Sequence, residues 1–166
     1  QGWHGSWVFN EEETQIGRWH NAPSEHATVI WDIESGKELF RNKGDFLEFT
    51  PGDQYVVLRQ KDTDSNRRRR LYEIASGDLV LTLPNARFVF SGDDHLYAYA
   101  ESERPHRPSE ARSVIVRRLP SDELVRRYDF DEPIWIDRFL NDDRSLVLPK
   151  LRSPLNTRRL GHAVIV

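Results

Sequence analysis

The sequence predicts an all-β fold, a β-propeller of four-stranded antiparallel blades, and three observations predict it. The first is a pair of turn markers that recur in phase. Trp31-Asp32-Ile33-Glu34-Ser35-Gly36 returns as Tyr72-Glu73-Ile74-Ala75-Ser76-Gly77 after 41 residues, with a worn third copy at Arg118-Leu119-Pro120-Ser121-Asp122. Phe49-Thr50-Pro51-Gly52-Asp53 returns as Phe90-Ser91-Gly92-Asp93-Asp94 after 41 residues, and as Phe139-Leu140-Asn141-Asp142-Asp143 after a further 49. Two independent markers on one period define a structural repeat. The second observation is the composition between the markers: short runs rich in β-branched and aromatic residues, punctuated by Gly, Asn, Asp or Pro. No window carries a sustained helical period with caps. The third is that several runs are apolar on both faces. Tyr55 and Val57 point one way while Val56 and Leu58 point the other, and Leu96 and Ala98 oppose Tyr97 and Tyr99. A sheet buried on both faces is stacked between others, as propeller blades are, whereas a sandwich sheet usually shows one polar face.

In chain order the expected strands begin with Trp7–Phe9, Ala27–Ile33 and Glu38–Arg41, with Asn10–His26 as a long loop. The unbroken β-branched run at Thr28-Val29-Ile30 makes the second of these the firmest, and the Ser35-Gly36 turn closes it. Asp45–Thr50, Gln54–Gln60, Arg69–Ile74 and Leu79–Leu83 form a whole blade around the first pair of markers. Ala86–Ser91, His95–Glu101, Ser113–Leu119 and Glu123–Asp129 form another around the second. The spacing of 49 rather than 41 places an insertion between Ser102 and Arg112. Pro133–Leu140, Ser145–Leu151 and His162–Val166 complete the series. The chain thus reads as a single partial propeller domain over residues 1–166, with blades at about 1–43, 44–84, 85–130 and 131–166.

Trp31-Asp32 closing a strand, the Ser-Gly-Lys turn after it, and Phe-Thr-Pro-Gly-Asp some way downstream resemble the WD-repeat family and its bacterial relatives. The resemblance implies four strands per blade, lettered a to d outward, with Trp-Asp ending strand c. On that template the chain supplies strands b, c and d of a first blade, two whole blades, and strands a, b and c of a fourth. One Trp-Asp pair is present, and the Gly-His pair that the family places before strand a is missing, which removes the family's buried Asp-His-Ser-Trp network. About three and a half blades do not close a ring, since propellers use four to eight. The end blades are then expected to expose apolar faces, such as those bearing Trp135 and Ile136. The remaining blades are expected from the rest of a longer chain or, as second choice, from a second copy.

At 166 residues the chain can bury one core, and its 37% hydrophobic and 31% charged residues describe a folded domain rather than a disordered one. The net charge of −3 provides no global field to recruit nucleic acid or an anionic membrane. Four Lys stand against twenty Arg, which favours recognition of planar anions and aromatic faces over diffuse attraction. With no Cys, disulfides and thiolate metal sites are excluded and the compartment stays open. No apolar run approaches the length of a membrane-spanning helix. The chain opens on Gln1 and has no Met, from which a removed N-terminus or an excised fragment is expected.

The longest loops, expected at Asn10–His26, Lys61–Arg68, Ser102–Arg112 and Arg152–Gly161, join strands b and c and project from one face of a propeller. Three of them bring arginines: Arg67, Arg68, Arg69 and Arg70; Arg104, Arg107 and Arg112; Arg152, Arg158 and Arg159. The functional reading is a rim that docks an acidic or phosphorylated protein segment through arginine forks. The plainer reading is a solvated rim, diluted by Asp62, Asp64, Glu103 and Glu110. Within the run, Arg68 and Arg70 share one strand face and Arg69 takes the other, and at least one stem is expected to pack along the sheet. The first loop pairs Glu11-Glu12-Glu13 with His20 and His26, and His4 lies near, but the spacing matches no metal motif. Trp3, Trp7 and Trp19 are expected to plug a core or a blade seam. Asp93-Asp94 and Asp142-Asp143 look like paired carboxylates, yet they recur at the a–b turn, where Asp suits the geometry. No catalytic signature, cofactor motif or nucleophilic Cys is present, and basic loops without aromatics disfavour nucleic acid. The sequence therefore points to a non-catalytic interaction scaffold. The alternative is an accessory or substrate-gating propeller of a larger enzyme whose catalytic residues lie outside this chain.

Overall fold

The computed structural model describes residues 7–22, 25–61, 67–102, 110–140, 145–149 and 160–164; at 20–22, 25, 26, 47, 67, 149 and 160–164 it describes the backbone alone. Contacts divide the chain into two units, Gln1–Leu83 and Pro84–Val166. The first unit holds two sheets. Strands β1 (Trp7–Phe9), β2 (Gln15–Ala22), β3 (Glu25–Asp32) and β4 (Glu38–Lys43) form one, and β5 (Asp45–Phe49), β6 (Tyr55–Lys61), β7 (Arg67–Glu73) and β8 (Leu79–Leu83) the other. In the second unit, β9 (Phe88–Phe90), β10 (Leu96–Glu101), β11 (Ser113–Arg118) and β12 (Glu123–Asp129) form a third sheet. A three-stranded sheet of β13 (Arg138–Phe139), β14 (Ser145–Pro149) and β15 (Leu160–Val164) follows. Each sheet is an antiparallel meander in chain order.

The expected repeat is written into the turns. In the a–b turns, Asn10, Thr50, Ser91 and Leu140 each donate a backbone N–H to the carbonyl five residues on, at 2.8–3.2 Å. Three of these residues also use a side-chain oxygen on the N–H of that fifth residue: Asn10 Oδ1 on Gln15 at 2.7 Å, Thr50 Oγ1 on Tyr55 at 3.2 Å and Ser91 Oγ on Leu96 at 2.9 Å. The fourth turn residue is left-handed each time, with φ of 55° at Glu13, 58° at Asp53 and 57° at Asp94. The c–d turns repeat as well. Gly36, Gly77 and Asp122 take φ of 67°, 78° and 58°, and each N–H bonds the carbonyl four residues back. A register shift sits at the same place in every c–d pair, after Ile30, Leu71 and Val116.

Sheets stack through apolar faces. In the first unit Ile30 and Phe40 of the first sheet meet Val56, Leu58, Tyr72 and Ile74 of the second. Gly17 on β2 permits the approach, since a Cβ there would lie 3.0 Å from the Phe46 ring. In the second unit Ala98, Ala100, Val114 and Val116 pack on Ile134, Ile136, Phe139, Leu146 and Leu148. The strands read as apolar on both faces are buried on both: Tyr55, Val56, Val57, Leu58, Tyr97, Ala98 and Tyr99 all lie inside.

Four expectations change. Asn10–His26 is not a loop: it contains β2, which pairs with β3 from Gln15↔Asp32 to Ala22↔Glu25, so the first sheet is a complete four-stranded one. Glu11-Glu12-Glu13 accordingly lies in the β1–β2 turn. The arginine run is strand from Arg67 onward, because Lys61↔Arg67 already pairs. Trp7 plugs no core; it is 51% exposed, 6.0 Å from the Trp31 ring, with the Arg18 guanidinium 4.8 Å over it. Ile136 is fully buried in one cluster with Ile134, and the Trp135 ring carries the Arg87 guanidinium at 5.0 Å. Among the described residues, the large exposed hydrophobics are Trp7, Phe9 and Ile33 in and beside the first sheet, Leu79 on β8, and Leu124 and Val125 on β12. Trp3 and His4 lie outside the described residues, as do the side chains of His20 and His26.

Candidate functional site

The arginine run sits where β6 and β7 leave the sheet toward the b–c loop. Register places Gln60 opposite Arg68, Arg59 opposite Arg69 and Lys61 opposite Arg67. Side chains directly opposite share a face, so Arg68 and Arg70 lie on the side of Val56 and Leu58, and Arg69 on the other with Arg59. Arg70 is the stem that packs along the sheet. Its Nη1 donates to Gln60 Oε1 at 2.6 Å, an oxygen that also accepts the Tyr72 hydroxyl at 3.0 Å. Gln60 Nε2 donates to the Lys43 carbonyl, which fastens this end of the second sheet to the end of β4. Arg59 is matched by Asp45, whose Oδ2 lies 3.1 Å from its Nη2. Arg70 is therefore a structural residue, while Arg68 is exposed and Arg69 half-buried.

A second polar constellation lies at the corresponding end of the third sheet. Glu101, Ser113 and Asp129 form one cross-strand row, since Ser113 pairs with both. Arg127, two residues before Asp129 on the same face, threads the row. Its Nε donates to Asp129 Oδ1 at 2.9 Å, its Nη1 to Glu101 Oε2 at 2.9 Å and its Nη2 to Ser113 Oγ at 3.0 Å. The Ser113 hydroxyl, on a residue only 8% exposed, donates to Asp129 Oδ1 at 2.6 Å. That bond, followed by the one from Arg127, holds the Asp129 carboxyl below the ordinary aspartate range. The Asp129 hydrogen bond likewise raises Arg127 above the ordinary arginine value. These residues border a cavity of about 800 Å³, completed by Ser102, Glu110, Arg112, Phe130 and Pro133.

Of the expected rim, Arg67 to Arg70 are brought together on β7, and Arg112 lines this cavity with its Nη1 donating to the Asp131 carbonyl at 2.8 Å. Arg104, Arg107, Arg152, Arg158 and Arg159 lie outside the described residues. The row of Glu101, Ser113, Arg127 and Asp129 is not visible in the linear sequence. Only the strand register makes neighbours of residues this far apart, and the Arg-x-Asp alternation on β12 is its one local sign. Asp93 serves its own turn: Oδ1 accepts the Ser91 hydroxyl at 2.7 Å and the His95 N–H at 3.0 Å. Asp142-Asp143 lies outside the described residues.

No family model matches the sequence, and no curated protein does. Solved structures do resemble it. Hydrazine synthase from Kuenenia stuttgartiensis superposes with a TM-score of 0.55 at 12% identity, over 95% of this chain and 45% of that one. TolB from Acinetobacter baumannii gives a TM-score of 0.54 at 14% identity, over 92% of this chain and 39% of that one. Both are β-propeller proteins, and the likeness shows that fold for this chain. The chain spans less than half the length of either.

Proposed function

We propose that this chain is a segment of a WD-repeat-like β-propeller that acts as a non-catalytic interaction scaffold. Its partner is a protein segment bearing carboxylate or phosphate groups, and its docking surface is the arginine-rich end of β6 and β7. One observation carries this reading: the register sets Lys61 opposite Arg67 and Arg59 opposite Arg69. Like charges directly opposite each other weaken an antiparallel pair, by up to about 1 kcal/mol. Arg59 is ion-paired to Asp45. A fold that gathers cations at a cost to its own pairing fits a surface completed by a bound anion, on which arginine forks bind carboxylate or phosphate bidentately. The WD-type assignment rests on Trp31-Asp32 ending strand c, where Asp32 Oδ1 accepts the Ser35 N–H at 2.7 Å and orders the turn.

Fluorescence anisotropy of a labelled glutamate-rich peptide and of its phosphoserine counterpart tests this. Binding should weaken steeply with salt, and Arg68→Ser with Arg69→Ser should lower affinity about tenfold. Arg70 is left intact because it holds Gln60. Salt-independent binding, or binding untouched by the double substitution, would sink the proposal.

A further inference from the structure

We infer that the cavity at the end of the third sheet is a separate binding site with the opposite preference: it takes the cationic side chain of an arginine or lysine on a partner peptide. The argument is one of charge and geometry. Among the described residues, the lining carries three carboxylates, of Glu101, Glu110 and Asp129, against two guanidiniums, of Arg112 and Arg127. Arg127 is already bound on three sides, by Asp129, Glu101 and Ser113. It engages only one oxygen of each acid, Oε2 of Glu101 and Oδ1 of Asp129. Among the described residues, Glu101 Oε1 and Asp129 Oδ2 accept no hydrogen bond.

Among the described residues, the network thus holds two carboxylate oxygens without a donor beside one guanidinium engaged on three sides, a local excess of one negative charge. Concave walls concentrate that field. The Ser113 hydroxyl holds the Asp129 carboxyl below the ordinary aspartate range, and the strand pairing fixes the backbone of the row. Phe130 and Pro133 provide an apolar wall along which the methylene stem of a long cation lies while its charged end reaches the oxygens. A planar fork suits two acceptors held on neighbouring strands better than a point charge, so arginine should bind more tightly than lysine.

The test is a titration of the ¹⁵N-labelled 166-residue chain with N-acetyl-arginine amide, its neutral isostere N-acetyl-citrulline amide, and N-acetyl-glutamate amide. The arginine derivative should shift the amides of Glu101, Ser113 and Asp129, and the citrulline derivative should not. Glu101→Gln, which keeps shape and removes one charge, should weaken the effect about tenfold. Equal shifts with citrulline, no shifts with arginine, or an unaltered Glu101→Gln titration would overturn the inference. Shifts at this cavity with the glutamate derivative alone would also overturn it, and would assign the pocket to Arg112. Because β6 and β7 take no part, failure here leaves the proposed anion surface standing, and the converse also holds.

Discussion

Asn10 Nδ2 donates to Asp53 Oδ2 across 2.6 Å, which fastens the a–b turn of the first sheet to the a–b turn of the second. Asn10 is 3% exposed and shares the same amide with Thr14 Oγ1 at 3.0 Å, while its Oδ1 accepts the Gln15 N–H. Three bonds thus converge on one buried amide. Asn10→Ala should destabilise the protein by about 2 kcal/mol, since the carboxylate of half-buried Asp53 loses a donor. Asn10→Asp should cost more, because it sets two carboxylates against each other. Urea unfolding of both variants checks the order; equal midpoints would show that the inter-turn bond contributes nothing.

That turn also shows why part of the fold was legible and part was not. The second and third sheets announce themselves because Pro51-Gly52-Asp53 and Gly92-Asp93-Asp94 are residues that favour turns. Asn10-Glu11-Glu12-Glu13-Thr14 folds into the same turn, with Glu13 at φ 55°, but the sequence bears no Gly or Asp to mark it. β2 is hidden for a related reason. Gly17, Arg18, His20 and Asn21 dilute its apolar pattern, and its strand character comes from full-length pairing with β3 rather than from propensity. The arginine run was legible as a charge cluster, but the role of Arg70 depends on Gln60, ten residues away across a hairpin. The cavity row needs three strands in register before any of it can be read.

Gly44 and Gly36 both have positive φ, and alanine at each should behave differently. A Cβ on Gly44, at φ 132°, would fall 2.7 Å from Gln60 Cγ and 3.2 Å from the Arg59 carbonyl oxygen. Gln60 cannot swing aside without releasing Arg70, Tyr72 and the Lys43 carbonyl. At Gly36, φ 67°, a Cβ meets nothing within 4 Å. Gly36→Ala should therefore cost only the left-handed backbone term, about 1 kcal/mol, and Gly44→Ala about 3 kcal/mol or more. Thermal unfolding separates the two; a Gly44→Ala variant as stable as Gly36→Ala would refute the packing argument.

The depressed Asp129 carboxyl makes a pH prediction. A group whose folded pKa lies below its unfolded value stabilises the fold above the unfolded value, and that contribution disappears as pH falls through the folded one. For Asp129 the window opens near the ordinary value of 3.8 and extends below it. Ser113→Ala removes the leading cause, so the carboxyl-carbon titration midpoint of Asp129 should move up toward the ordinary value. The variant should also lose less stability than the parent as pH falls below the ordinary value, because the window between the unfolded and folded pKa narrows. An unmoved midpoint would mean that Arg127 alone holds the charge.

Asp122 occupies the left-handed position that Gly36 and Gly77 hold in the earlier copies, at φ 58°. By the logic of the repeat, Asp122→Gly should stabilise, relieving about 1 kcal/mol of backbone cost. The side chain argues the other way. Asp122 Oδ1 accepts the hydroxyl of Tyr97, a residue 2% exposed, and Oδ2 lies 3.5 Å from Arg117 Nη1. Burial, and then this bond, raises the Tyr97 hydroxyl well above its ordinary pKa. Removing the acceptor leaves a buried donor unsatisfied, at about 1–3 kcal/mol, and forfeits the Arg117 pair. The larger effect is the loss, so Asp122→Gly should destabilise by about 1 kcal/mol net. Asp122→Asn, which tolerates the left-handed backbone and keeps a neutral acceptor, should fall between it and the parent. If Asp122→Gly proves the more stable protein, the tyrosine bond is an ornament of the turn and the repeat consensus governs.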